Sequence, residues 1–150
     1  MILFGLLAAA VAAASPLSEE QQNAVALARS SLDYCVMNAT RDPRLARRGP
    51  KECVGWGERD CLDNLDRDLP TNIDMCARAE RDAWIEKTDA FAEALALAAP
   101  NPRTAARIRA AQAGWAKKRA ATVRPGLEGL RATSRMCAER YGYLVSLAGD

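Results

Sequence analysis

Residues 108–119 read IRAAQAGWAKKR, and this stretch decides the fold class. Its Gln112, Trp115 and Arg119 stand at a Q-x-x-W-x-x-x-R spacing, which on an α-helix places all three on neighbouring turns of one face. Alanine, lysine and arginine supply most of the other positions, and all favour helix. The stretch therefore reads as a helix with an apolar face at Ile108, Ala111, Trp115 and Ala116 and a polar edge at Gln112 and Arg119.

Outward from it, the chain is punctuated in both directions. Upstream, Asn101-Pro102 gives an N-cap followed by a proline at the first helical position. Before that, a longer helix is expected from Thr71, capping the first turn after Pro70 with Asp74 near the positive end, to Ala99-Pro100. Its core face is Ile73, Cys76, Glu80, Trp84, Thr88, Phe91 and Leu95. Downstream, Pro125-Gly126 breaks the chain, and Leu127, Leu130, Ser134, Cys137, Tyr141, Leu144 and Ala148 then keep a three-four spacing. The first helix opens at Ser18, in a capping box with Gln21, carries Val25, Ala28, Leu32 and Cys35, and ends before Asp42-Pro43. Residues 41–69 have no sustained period and hold Pro43, Gly49-Pro50, Gly55 and Gly57. A loop of that length calls for a function or a cross-link, and Cys53 and Cys61 lie within it. The expected architecture is an all-α, four-helix bundle-like domain with a long tethered loop between helices one and two.

The 150 residues suit one domain with a real core. The absence of histidine excludes His-dependent triads and histidine-ligated zinc hydrolases. Charge is uneven. Residues 17–93 hold sixteen acidic and eleven basic side chains, a net of minus five, whereas residues 94–127 hold seven basic side chains and no acidic one. The third helix is thus a basic surface, either paired with acidic neighbours in helix two or offered to an anionic partner such as a cell-wall polymer, lipid headgroup or acidic protein. A formal net charge of only +2 in an exported chain argues against nucleic acid.

Export is read from MILFGLLAAAVAAASP, an apolar run ending in small residues with Ala12 and Ala14 at the A-x-A positions. Residues 1–14 are expected to be a signal peptide, and residues 15–150 a single mature domain. The run is too short to span a bilayer, so no transmembrane anchor is expected in the mature chain. Five cysteines then point to disulfides in a periplasmic or secreted protein, with one cysteine left over.

Several segments resemble one family. AQAGWAKKRAA is similar to the a-Q-r-a-W-x-x-y-R-d-a segment of the lysozyme-inhibitor LprI-type family, small exported helical domains of bacteria. Cys76, Glu80 and Trp84 match its C-x-x-x-E-x-x-x-W-d segment. AERYGYL resembles its T-a-e-R-a-x-x-L close, with Arg140 and Leu144 in register, and Cys53-Val54-Gly55 followed by Cys61 resembles a loop of some members. Ile85 and Thr88-Asp89 depart from the family pattern. Val123 and Ala132 stand where the family commonly carries two cysteines, and Cys137 falls on its threonine position. The resemblance therefore implies that Cys137 is unpaired, a buried small hydrophobe. Cys35, Cys53, Cys61 and Cys76 then allow three connectivities. The favoured one joins Cys53 to Cys61 and Cys35 to Cys76, the latter closing about forty residues for on the order of 4 kcal/mol.

The resemblance also implies a function, inhibition of lysozyme-type muramidases by a rigid loop entering the enzyme's groove. Trp56, flanked by Gly55 and Gly57, is the aromatic such a loop would present, and Glu58, Asp60 and Asp63 are its carboxylates. Arg119 is a further partner-contact candidate. Glu80, Trp84, Gln112, Trp115, Arg119 and Arg140 read mainly as structure: Trp84 and Trp115 pack between helices two and three, Arg119 pairs with Glu80 or Asp89, and Gln112 bonds a neighbour. No catalytic residue, metal or cofactor is expected. The acidic run from Glu58 to Asp68 lacks calcium-loop spacing, and nothing sets two carboxylates across a cleft for glycoside hydrolysis. The alternative is a structural or adaptor domain of the cell envelope that holds an anionic partner on the basic third helix.

Overall fold

The computed structural model describes residues 15–41 and 49–149, so the expected signal peptide lies outside the described residues. Five α-helices and one 3-10 turn follow in order: α1 (Glu19–Arg41), the turn Pro50–Cys53, α2 (Trp56–Leu62), α3 (Pro70–Leu97), α4 (Pro102–Ala121) and α5 (Gly126–Ala148). The all-α expectation holds, and the four long helices lie where their periodicity put them. The stretch 41–69 is different from expectation. It contains α2 and the 3-10 turn, and these are docked against the bundle.

Local chemistry explains most boundaries. At α1 the Ser18 backbone N–H donates to Gln21 Oε1 (3.0 Å) and the Gln21 N–H to Ser18 Oγ (3.2 Å), a reciprocal capping box. At α4 the Thr104 N–H donates to Asn101 Oδ1 (2.9 Å), with Pro102 just inside the helix. The start of α3 corrects the Thr71 expectation. Pro70 itself takes the first helical position, where its missing N–H is no loss, and Leu69 precedes it without a side-chain cap.

α3 is 28 residues long, roughly 42 Å, and packs against α1, α2, α4 and α5. Its Trp84 is fully buried among Leu32, Val36, Cys137 and Tyr141. The Trp84 and Tyr141 rings meet edge-on at 6.2 Å, and Phe91 lies 5.0 Å from Tyr141. A smaller core of Ala24, Ala28, Cys61 and Cys76 lies where α2 crosses α1.

The disulfides are Cys35–Cys53 and Cys61–Cys76, which corrects the favoured pairing of Cys53 with Cys61 and Cys35 with Cys76. Because residues 56–62 are helical, Cys61 faces the first turns of α3 while Cys53 sits in the 3-10 turn against the end of α1. The bridges span 18 and 15 residues, each worth about 3 kcal/mol in the chain-entropy picture. Cys137 is free and buried.

Small residues let α2 dock. A Cβ added at Gly57 would stand 2.7 Å from the Ala28 carbonyl oxygen, a backbone atom that cannot swing away. Gly57→Ala is therefore expected to lift α2 from α1 and cost about 1–3 kcal/mol in urea unfolding; an unchanged midpoint would contradict this packing.

Candidate functional site

Cys76, Glu80, Trp84 and Thr88 recur every fourth residue and so form one stripe on α3. Each makes a different fastening. Cys76 holds Cys61 covalently, and the Thr88 hydroxyl donates to the carbonyls of Trp84 (2.7 Å) and Cys137 (3.3 Å). Glu80 is 2% exposed and accepts three hydrogen bonds, from the N–H of Gly55 (2.6 Å), the N–H of Glu58 (2.7 Å) and the Trp84 indole N–H (3.3 Å).

Those first two donors belong to the start of α2, which has no side-chain cap of its own. Gly55 turns the chain with φ 93°, a left-handed conformation suited to glycine. A carboxylate from a distant helix thereby caps α2, satisfying orphan donors at the positive helix end. Burial raises the Glu80 carboxyl above its ordinary range, and its three hydrogen bonds offset only part of that.

Of the loop residues expected to meet a partner, Trp56, Glu58 and Asp60 are taken up in the same docking. Glu58 is buried and receives Arg131 Nη2 (2.5 Å) and Nε (3.1 Å), a forked pair that ties α2 to α5. Asp60 accepts from the Ser31 hydroxyl on α1 (2.6 Å) and from Arg59 Nε (2.8 Å). Asp63 pairs with Arg67. Trp56 is half-buried against the main core, with the Arg59 guanidinium 4.7 Å from its ring centre. Trp56 is thus not presented by a free loop, because it is the first residue of a helix that packs down.

The charge of Asp60 has a measurable consequence. Burial would raise its carboxyl, but the Ser31 hydroxyl and the Arg59 guanidinium outweigh that and hold it below the ordinary aspartate range. A depressed folded value contributes stability above about pH 4, lost as pH falls through the folded value. Asp60→Asn is expected to flatten the acid limb of the urea midpoint below about pH 5; an identical limb would contradict the contact. Glu80 acts with the opposite sign, its contribution being full at acid pH and lost as pH rises through its raised value.

The second group gathers around α4, which fully buries none of its residues. Gln112 Nε2 donates to Asp89 Oδ1 (2.8 Å), and Gln112 Oε1 accepts from Arg140 Nε (3.2 Å), so one amide links α3, α4 and α5. Arg119 lies 3.8 Å from Asp89 and 5.0 Å from the Trp115 ring centre. Of the two expected partners it has Asp89; Glu80 is spent on α2. Burial pushes the Cys137 thiol up to about 11 despite the neighbouring Arg119 guanidinium, so it is inert at neutral pH. Both tryptophans pack on the main core, Trp84 fully buried within it and Trp115 half-buried at its edge.

No family model, curated protein or solved structure matches this chain. Sequence reasoning missed Arg131 and Ser31, whose partners Glu58 and Asp60 lie on α2, where a loop is expected.

Proposed function

We propose that the chain is an exported binding domain of the cell envelope, periplasmic or secreted, that engages an anionic partner through α4. The observation that carries this is an unspent charge. Of the seven bases in residues 94–127, Arg109 pairs with Glu93 and Arg119 lies near Asp89. Arg103, Arg107, Lys117, Lys118 and Arg124 are exposed, and none reaches a carboxylate among the described residues. Export is supported by the apolar segment at residues 1–14 and by two disulfides, which persist in oxidising compartments. Among the described residues no helix is long and apolar enough to cross a membrane.

The test is binding of the oxidised mature chain to anionic vesicles and to polyglutamate over a salt series. Binding should be clear at low ionic strength, fall steeply as the Debye length shortens, and weaken at least tenfold in Lys117→Glu/Lys118→Glu at unchanged thermal stability. No binding to either probe at low salt overturns the reading.

A second reading, inhibition of a lysozyme-type muramidase, rests on the resemblance to the LprI-type family. The turn between α2 and α3 favours it: Asp63, Asp66 and Asp68 are exposed there, and Cys61–Cys76 pins its base. The contact would then be made by Asp66 and Asp68 rather than Trp56 and Asp60. Dose-dependent inhibition of cell-wall lysis, lost in Asp66→Ala/Asp68→Ala, is the expected result. No inhibition of animal or bacterial lysozymes at micromolar excess dismisses it.

A further inference from the structure

Where Arg140 of α5 reaches Gln112 and Trp115 of α4, a cationic and aromatic cluster stands, and the Arg140 guanidinium has no carboxylate partner among the described residues. The Arg140 guanidinium lies 5.8 Å from the Trp115 ring centre and 5.2 Å from that of Tyr143. Its Nε is used on Gln112, while its two terminal nitrogens donate to no protein acceptor among the described residues. Arg119, whose guanidinium lies 5.0 Å from the Trp115 ring centre, directs its Nη1 toward Asp89 at 3.8 Å, beyond hydrogen-bond reach. Tyr143 is 52% exposed and Leu147, one turn on, is 44% exposed. The helix opposite carries bases and no acid.

A guanidinium whose Nε is anchored and whose carbon lies 5.8 and 5.2 Å from two aromatic ring centres has little freedom to turn its outer edge away. That edge fits a carboxylate in a forked pair. The apolar surface beside it fits a side chain adjoining that carboxylate, and tryptophan, tyrosine and arginine are the residue types that dominate binding hot spots. A lipid or polyanion surface would use the charge of α4 and have no need of the aromatic rings.

Resting on the reading of α4 as the binding face, we propose that Arg140, Trp115 and Tyr143 form its centre and dock an acidic peptide segment of a partner protein. One carboxylate sits on the outer edge of Arg140, and an adjoining apolar side chain lies against Tyr143 and Leu147.

The probes are a fluorescein-labelled twelve-residue peptide of Glu-Leu-Glu-Phe repeats, polyglutamate of equal charge, and phosphatidylglycerol vesicles, each titrated with the oxidised mature chain. The peptide should bind at least tenfold more tightly than polyglutamate. Tyr143→Ala, at an exposed position that leaves the fold intact, and Arg140→Gln should each weaken the peptide about tenfold and leave vesicle binding within about twofold. If polyglutamate and vesicles bind as well as the peptide and Tyr143→Ala changes nothing, the peptide site is overturned while the anionic-partner reading stands. If no probe binds at low salt, both fall.

Discussion

Glu80→Ala is expected to destabilise the oxidised domain by about 3–5 kcal/mol. The substitution strips the acceptor from the N–H groups of Gly55 and Glu58, which meet the carboxylate at 2.6 and 2.7 Å. Each buried donor left without a partner costs about 1–3 kcal/mol, and the emptied space adds a cavity. Glu80→Gln should recover only part, because its amide offers one acceptor oxygen and turns a donor toward a donor. Urea unfolding followed by circular dichroism measures the loss, and hydrogen exchange at Gly55 and Glu58 should accelerate ahead of the amides of α5. A loss under about 1 kcal/mol would show that α2 is not held by this carboxylate.

Trp84→Ala should cost about as much, roughly 3–5 kcal/mol, by emptying the centre of the main core. The indole is fully buried, meets Tyr141 edge-on and gives its N–H to Glu80. Because the two side chains touch, the double variant Glu80→Ala/Trp84→Ala should lose less than the sum of the singles, by about 0.5–3 kcal/mol. Trp84→Phe, which keeps a ring and removes the donor, separates packing from hydrogen bonding and should cost less than Trp84→Ala. Strict additivity in the double variant would mean that the stripe on α3 does not act as a unit.

The helices were legible because their signals are local. The capping box at Ser18 and Gln21, Asn101-Pro102 and the three-four spacing of α5 all depend on residues within a few turns of each other. Glu80 and Trp84 lie on the expected core face, yet the capping of α2 by Glu80 was not visible, since the two backbone donors it serves lie more than twenty residues upstream. The short helix α2 escaped for a related reason. Seven residues give too few turns for a period to show, and its N-terminus is capped from another helix rather than by its own Ser, Thr, Asp or Asn.

The fold of residues 56–62 decides what a partner can reach. As a loop, this segment would make Cys53 and Cys61 the two ends of a tether and leave Trp56, Glu58 and Asp60 available. Folded as a helix, the segment spends Glu58 on Arg131 and Asp60 on Ser31. The basic α4 was legible from charge alone. That Trp115 would meet Arg140 was not, because it depends on the register of two helices joined by a four-residue connection.

The claim on which the rest depends is that residues 50–62 are docked structure rather than a presented loop, and disulfide mapping tests it most directly. Trypsin separates all five cysteines, placing them in peptides 30–41, 52–59, 60–67, 68–78 and 136–140. Digestion of the oxidised chain without reduction should give peptide 30–41 linked to 52–59, peptide 60–67 linked to 68–78, and peptide 136–140 free. Peptide 52–59 linked to 60–67, with 30–41 linked to 68–78, would contradict the docked α2 and return Trp56 and Asp60 to the surface.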